Sequence, residues 1–339
     1  MRHVLLPQNL SVEPPPVGGK IHDLFGQAMG TVWAVRAVLD GQTDAALQIG
    51  IEQQLEAVVV EMSHWLPHSN LVRFNQAAAG SWHALPDAFY EVLSYALRVA
   101  QDSCGAYDPT AGALIDLWGF GATGRYDEPG FVAPTAARVQ TTLRKQGWQQ
   151  LLLDPEQHRA YQPGGLCIDL SAVAKGYAVD RVSKYLSAIG VANHLVEVGG
   201  ELRGVGVKPD AQPWWVALEQ PPKTSKEPAE ELAQCVIALH GLSVATSGDY
   251  RRYFDSNAAR YSHTIDPRSG EPIQHGLTSV TVIHSECMVA DAISTALNVM
   301  GLQQGMAFAQ TRAIPARFVQ RTADGFTEHL TPAFLKLME

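Results

Sequence analysis

The sequence predicts an α+β protein, with a mixed or antiparallel sheet core and packed helices, and three observations carry that prediction. Stretches with a period of two and stretches with a helical period intermix along the chain, without the strand, helix, parallel-strand rhythm of a doubly wound sheet. The glycine-rich stretch 195–207, LVEVGGELRGVGV, reads as a strand broken by a glycine pair, and its glycines match the dinucleotide fingerprint GxGxxG neither in spacing nor in context. At 339 residues, 46% of them apolar, the chain is long enough to bury a core of enzyme size.

Taken in order, residues 1–20 form a Pro-rich N-terminal arm, with VEPPPVG at 12–18, and residues 21–339 are long enough for one large domain or two ordinary ones. Residues 27–39, QAMGTVWAVRAVL, alternate as a strand does. A helix follows over 43–62, with Ala46, Ile49, Ile51, Leu55, Val58, Val59 and Met62 at helical spacing, and another over 87–104, stopped by Gly105. Residues 105–121, GAYDPTAGALIDLWGFG, are too rich in Gly, Asp and aromatic residues for a core segment and read as a binding loop. Residues 168–180, IDLSAVAKGYAVD, enter a helix with Ser171 as N-cap and Lys175 in about its first turn. A cation there opposes the helix dipole, which an anionic partner such as a phosphate would explain; a lysine lying along the protein surface explains it equally. The polar stretch 220–234, QPPKTSKEPAEELAQ, reads as a solvated insertion.

The stretch 261–301 holds the densest chemistry. Ser262-His263-Thr264-Ile265-Asp266-Pro267-Arg268-Ser269-Gly270 packs an imidazole, a carboxylate and a guanidinium into a turn. Residues 276–284 then alternate as a strand with a buried face. A helix follows, with Ser285 as N-cap, Met288, Val289, Ala292, Ile293, Ala296, Leu297 and Met300 at helical spacing, and Gly301 as its stop. Asp291 and Thr295 are four apart and share a face. Their oxygens can ligate a hard cation such as magnesium. The ordinary alternative is a threonine bonded to the carbonyl four residues back and an aspartate favoured by the positive helix end.

Composition narrows the field. A net charge of −9 with no basic tract argues against a nucleic-acid surface, and no apolar run is long enough for a membrane span. Cys104, Cys167, Cys235 and Cys287 form no CxxC pair and read as free, buried thiols. The N-terminal apolar run is too short for a signal peptide, so the cytoplasm is expected, or the periplasm if a leader has been removed. GxxxxGK[ST], HExxH and GxSxG are all missing, so nucleotide chemistry would need another scaffold.

From Met29 to about Gly301 these blocks resemble, in order, those of the flavin transferases of the ApbE family. They are Met29-Gly30-Thr31; Met62-Ser63-His64-Trp65 running to Arg73-Phe74-Asn75; Gly105-Ala106-Tyr107-Asp108-Pro109-Thr110 with Leu117-Trp118-Gly119-Phe120-Gly121; and Asp169 to Asp180 with Val198-Gly199-Gly200. Ala245 to Tyr250, Ser262-His263 with Asp266-Pro267, and Ala290-Asp291-Ala292 with Ser294-Thr295-Ala296 complete them. The resemblance implies that residues 21–339 form a single domain, an enzyme that binds FAD and Mg2+, moves the FMN half onto a threonine hydroxyl of an acceptor flavoprotein with a Ser/Thr-Gly-Ala-Thr-like motif, and releases AMP. It places FAD contacts on Met29, Trp65, Ala106, Tyr107, Asp108, Asp169, Lys175 and Ile265, and metal contacts on Asp291, Thr295 and the Ala172 carbonyl. Trp65 stands where many members have Tyr, which keeps a flat ring for stacking on adenine and loses a phenolic hydroxyl.

The implied chemistry needs charge neutralisation on a pyrophosphate, an aligned nucleophile and a proton acceptor. Magnesium and Lys175 would serve the first need. His263 is the candidate base, because imidazole titrates near neutrality, with Asp266 as its candidate orienter. Tyr253 and His275 read as structural or rim residues. Two other readings are a magnesium-dependent FAD pyrophosphatase, with water in place of threonine, and a carrier that holds FAD without cleaving it.

Overall fold

The computed structural model describes residues 2–7, 18–40, 43–221, 232–256, 259–322 and 325–338. Residues 8–17 of the expected arm and 222–231 of the expected insertion lie outside the described residues. The chain forms two compact units, the first from residues 1–56, 175–248 and 276–339, the second from 57–174 and 249–275.

The first unit is built on an eight-stranded sheet whose spatial order is its chain order. Its strands are β1 (Lys20–Ala28), β2 (Thr31–Leu39), β3 (His194–Val198), β4 (Glu201–Val205), β5 (Leu242–Gly248), β6 (Leu277–His284), β7 (Ala316–Thr322) and β8 (Gly325–Leu330). Every neighbouring pair is antiparallel, so the sheet is a continuous meander. The second unit's two segments enter the chain between β2 and β3 and between β5 and β6.

Two tight turns set the register at one end of this sheet. Met29 and Gly30, at φ 54° and 70°, join β1 to β2, and Gly199 and Gly200, at φ 63° and 98°, join β3 to β4. Both central residues of a two-residue hairpin turn take positive φ because that twist matches the strands. The alternation read over 27–39 therefore crosses a turn, and the strand of that stretch begins at Thr31.

Among the described residues the α-helices are α1 (Asp44–Met62), α2 (Asn70–Asn75), α3 (Asp87–Asp102), α4 (Gly112–Leu117), α5 (Ala136–Leu143), α6 (Ala174–Ala188), α7 (Cys287–Thr311) and α8 (Pro332–Leu335). In the first unit α7 packs on β5 and β6. Alternation explains the two faces. Val244 and Ile283 pair across β5 and β6 and join a core with Leu5, Trp214, Cys235, Ile237, Leu239 and Phe334, where a smaller sheet of Arg2–Leu5, Gln234–Leu239 and Trp214–Ala217 covers the meander. Ser247, on the opposite face, bonds α7. With both faces covered, β6 is buried along its length up to His284.

Helix α7 departs from expectation at both ends. It is capped at Glu286 without a side-chain bond of its own, rather than by Ser285. Gly301 breaks it at φ 73°, ψ 178°, as a helix-stopping glycine should, yet helix resumes to Thr311 because buried Gly305 and Ala309 still have a face to cover. No helix among the described residues is long and apolar enough to cross a membrane.

The second unit is more irregular. It carries α2 to α5, a three-stranded sheet of Ser81–Ala84, Arg159–Gln162 and Leu152–Asp154, and two short hairpins, Tyr253–Ser256 with Ala259–Ser262 and Ile265–Asp266 with Glu271–Pro272. The stretch read as a binding loop contains α4, and its side chains Leu114, Trp118 and Phe120 make a core with Val139 and Ile265. Trp118 donates its indole N–H to the Gly270 carbonyl at 2.8 Å and stacks on Tyr261 at 5.2 Å, which fixes the turn that follows His263. All four cysteines are unbridged; Cys235 and Cys287 are buried, whereas Cys104 is exposed.

Candidate active site

Of the residues the sequence singles out, Met29, Lys175, Asp291 and Thr295 belong to the first unit, and Trp65, Ala106, Tyr107, Asp108, Asp169, Ala172, His263 and Ile265 to the second.

In the first unit, α7 presents Asp291 and Thr295 one turn apart. Asp291 is 3% exposed and its Oδ2 accepts the Gly176 N–H at 2.9 Å, so it caps the start of α6. The hydroxyl of Thr295 lies 2.8 Å from Ser247 Oγ on β5, which also lies 2.9 Å from Ser294 Oγ. The back-bond to the helix carbonyl is made by Ser294, to Asp291 O at 2.9 Å. The face of α7 that carries Asp291 is thus lined with oxygen. Among the described residues no group of three or more His, Cys, Asp and Glu is arranged to hold a metal. A carboxylate and a hydroxyl one turn apart suit only a hard cation that keeps water ligands of its own, and Mg2+ is such an ion.

Lys175 stands in the first turn of α6, as the sequence predicts. Its ammonium lies 2.5 Å from Glu201 Oε1, a carboxylate 1% exposed at the start of β4. Glu201 is a residue the sequence reading missed, although an acid directly after the Gly199-Gly200 turn in an apolar hairpin was a signal. Asp180 and Arg203 were also missed. Asp180 lies in a quoted motif, 4% exposed, and accepts the N–H groups of Cys287 at 3.0 Å and Met288 at 2.9 Å and the Arg203 guanidinium at 3.0 Å. Burial pushes its carboxyl above the ordinary range, against those donors. Met29 holds its left-handed conformation in the β1–β2 turn, an uncommon state for a side chain larger than asparagine.

In the second unit the loop residues lock to one another. Asp108 accepts the Thr110 N–H at 2.8 Å, the Thr110 hydroxyl at 2.7 Å and the Trp148 N–H at 3.2 Å. Burial raises its pKa, and those three bonds pull it back in part. Ala106 is fully buried and Tyr107 is 4% exposed. Asp169 ties its N–H to Pro109 O at 2.8 Å, accepts the Ser171 N–H at 2.8 Å and reaches His64 Nδ1 at 3.3 Å. Ser171, expected as an N-cap, instead places its hydroxyl 3.4 Å from that same nitrogen. Ile265 puts its side chain in the core.

Trp65 is 45% exposed, and the Arg125 guanidinium lies 5.6 Å from its ring centroid. Arg125 also lines a cavity of about 760 Å³ with Asp116, Arg138, Lys145 and Gln146. His64 lies in a quoted motif but was given no role, and Arg125 was not read from the sequence, since pairing through space leaves no spacing signal. His263 Nδ1 lies 3.1 Å from the Arg252 carbonyl oxygen. A carbonyl only accepts, so Nδ1 carries a proton, and in the neutral ring the lone pair sits on Nε2. Asp266 takes Arg268 through Nε and Nη2, each at 2.8 Å, and shapes the turn.

Residues 29–318 match the model of the ApbE family. The FAD:protein FMN transferase of Vibrio cholerae serotype O1 is 37% identical over 313 residues, covering 92% of this chain and 91% of that protein. That of Haemophilus influenzae is 35% identical over 327 residues, covering 94% and 92%. The apo crystal structure of Pseudomonas stutzeri flavinyl transferase ApbE superimposes with a TM-score of 0.85 at 38% identity, over 94% of this chain and 97% of that one. The ApbE protein of Thermotoga maritima does so at 0.80 and 28%, over 94% and 100%. With its motifs in order, its fold matched and its length covered, this chain belongs to the ApbE family.

Proposed function

We propose that this chain transfers the FMN half of FAD to a threonine hydroxyl of an acceptor flavoprotein, with Mg2+, and releases AMP, residues 21–339 acting as one transferase domain. The observation that carries the reading is the oxygen-lined face of α7, with Asp291 buried and Thr295 one turn on, in a chain whose relatives bear the name FAD:protein FMN transferase.

Asp291, Thr295 and the Ala172 carbonyl are the proposed Mg2+ ligands; the ion would neutralise charge developing on the pyrophosphate oxygens. Lys175, near neutral as a pair with Glu201, adds donors rather than a full net charge. Met29, Trp65, Ala106, Tyr107, Asp108, Asp169, Lys175 and Ile265 are the proposed FAD contacts. Ala106 and Ile265 are buried and so contribute main-chain atoms. Trp65 offers an exposed face for the adenine. His263 takes the threonine proton on Nε2 while the threonine oxygen bonds to the FMN phosphorus, and the bond from that phosphorus to the AMP oxygen breaks.

The test is to incubate the protein with FAD, Mg2+ and an acceptor bearing a Ser/Thr-Gly-Ala-Thr-like segment, then look for covalent flavin fluorescence on a denaturing gel. Labelled acceptor and equimolar AMP are expected. AMP without labelled acceptor would make the chain a pyrophosphatase, and no AMP at all would make it a carrier.

A further inference from the structure

The N-termini of α6 and α7 are capped by each other's carboxylates. Helix α7 has no side-chain cap of its own. Its first two N–H groups, Cys287 and Met288, are buried and donate to Oδ1 and Oδ2 of Asp180, which lies on α6. In return, Asp291 on α7 accepts the N–H of Gly176, in the first turn of α6. The helix starts are in main-chain contact: a methyl group on Gly176 would strike the Cys287 carbonyl oxygen and come within 2.8 Å of Asp291 Cβ. No side chain other than hydrogen fits there. Arg203, from β4, holds the outer side of this clasp, bonding Asp180 at 3.0 Å, Ser243 Oγ at 3.3 Å and the Ser285 carbonyl.

From this geometry we propose that Asp180 is a positioning residue for divalent-cation binding, fixing α7 so that the Asp291 carboxylate is held ready to ligate Mg2+. The inference rests on the proposed role of Asp291. Asp291 sits one turn after the residues that Asp180 grips, so the start of α7 cannot shift along its axis without moving that carboxylate. One oxygen of Asp291 is committed to Gly176, which fixes the plane of the carboxylate. Two rigid helix ends locked by two carboxylates leave the ligand little freedom, and outer partners that orient metal ligands typically account for about 10- to 100-fold in metal affinity.

The test compares Asp180→Asn and Asp291→Asn, with Mg2+ titrated calorimetrically into the FAD-bound protein without acceptor, and FAD affinity measured separately in chelator. Asp180→Asn keeps the shape and one acceptor oxygen but loses the charge. It should weaken Mg2+ about 10- to 100-fold, leave FAD affinity in chelator within about twofold, and recover its transfer rate at high Mg2+. Arg203→Gln, which frees one side of Asp180, should shift Mg2+ affinity in the same direction by less, and decides the matter if Asp180→Asn does not fold. Unchanged Mg2+ affinity in Asp180→Asn, or a rate that excess Mg2+ does not restore, overturns the positioning role. If Asp291→Asn itself leaves Mg2+ binding intact, the metal assignment falls instead.

Discussion

Asp180 and Asp291 in the sheet-built unit sit on helices and accept N–H groups from the first turn of a neighbouring helix, where the helix dipole adds its own attraction for a carboxylate. Asp108 and Asp169 in the other unit sit in loops, and their donors come from residues two along or from a second loop. Burial raises the pKa of Asp108 and of Asp180 alike. The difference lies in what each carboxylate fixes. In the first unit it locks rigid elements and so sets a point in space, which metal ligation needs. In the second it closes turns and so shapes a surface, which suits a contact with a large flat ligand.

Under the proposed function that contrast would put the side-chain ligands of Mg2+ in the first unit and the proton acceptor and the stacking ring in the second, and it can be broken experimentally. The largest effect is expected at His263. His263→Ala should slow flavin transfer about 100- to 10,000-fold while FAD and Mg2+ affinity hold. The parent rate should rise with pH through the imidazole's apparent pKa, since only the neutral ring accepts a proton, and the variant should lose that limb. A fall in Mg2+ affinity on this variant would make a side chain of the loop-built unit a metal contact and dissolve the contrast.

A smaller effect concerns stability. His194, on β3, is fully buried between Ser183 Oγ at 2.8 Å and the Val191 carbonyl at 2.8 Å, and burial pulls its pKa from 6.5 to about 4. Between those values the unfolded chain binds a proton that the folded one refuses, so stability present above about pH 6.5 is lost as pH falls toward about 4. The shift bounds the loss at about 3 kcal/mol. Asp108 has the opposite sign: its raised pKa makes the folded state hold its proton longer, so its contribution diminishes as pH rises through the folded value. Urea unfolding from pH 7 to 4 should show the acid loss in the parent and a flatter slope in His194→Gln; equal slopes would mean that His194 titrates normally.

The smallest expected change is at Trp65. In chelator, Trp65→Ala should weaken FAD by about 1–3 kcal/mol, the scale of one stacked base. Unchanged affinity in a fluorescence titration would move the adenine off this ring, whose neighbours are the His64 ring at 5.1 Å and the Arg125 guanidinium at 5.6 Å.

What the sequence revealed follows the same division. Helical spacing placed Asp291 and Thr295 on one face of α7, and the positions of glycines marked the β3–β4 turn and the break at Gly301, because periodicity and positive φ are local properties. The β1–β2 turn was missed, since apolar and polar residues keep alternating through Met29 and Gly30. The α+β class followed from the same local patterns. The clasp was out of reach: Asp180 and Cys287 are far apart in the chain, and nothing in either segment announces that one caps the other. The partners Glu201 of Lys175 and Arg252 of His263 were hidden for the same reason. The capping serine expected at Ser285 gave way because a carboxylate on another helix had already taken those N–H groups.

The meander also prescribes an order of assembly. Pairs joined by two-residue turns, β1 with β2 and β3 with β4, can zip as local hairpins on the microsecond scale. The seam between β2 and β3 joins Trp33–Ala37 to His194–Val198 across most of the second unit's sequence, and that between β5 and β6 spans the remaining segment. Loop closure costs only about 0.6 kcal/mol more for each doubling of length in a flexible chain, but such long-range pairings slow folding. During synthesis β1, β2 and the first long segment emerge well before β3, so an exposed β2 edge awaits its partner. Helix α7, which covers β5 and β6, emerges later still, so the groups that grip its start can meet only after most of the chain has been made.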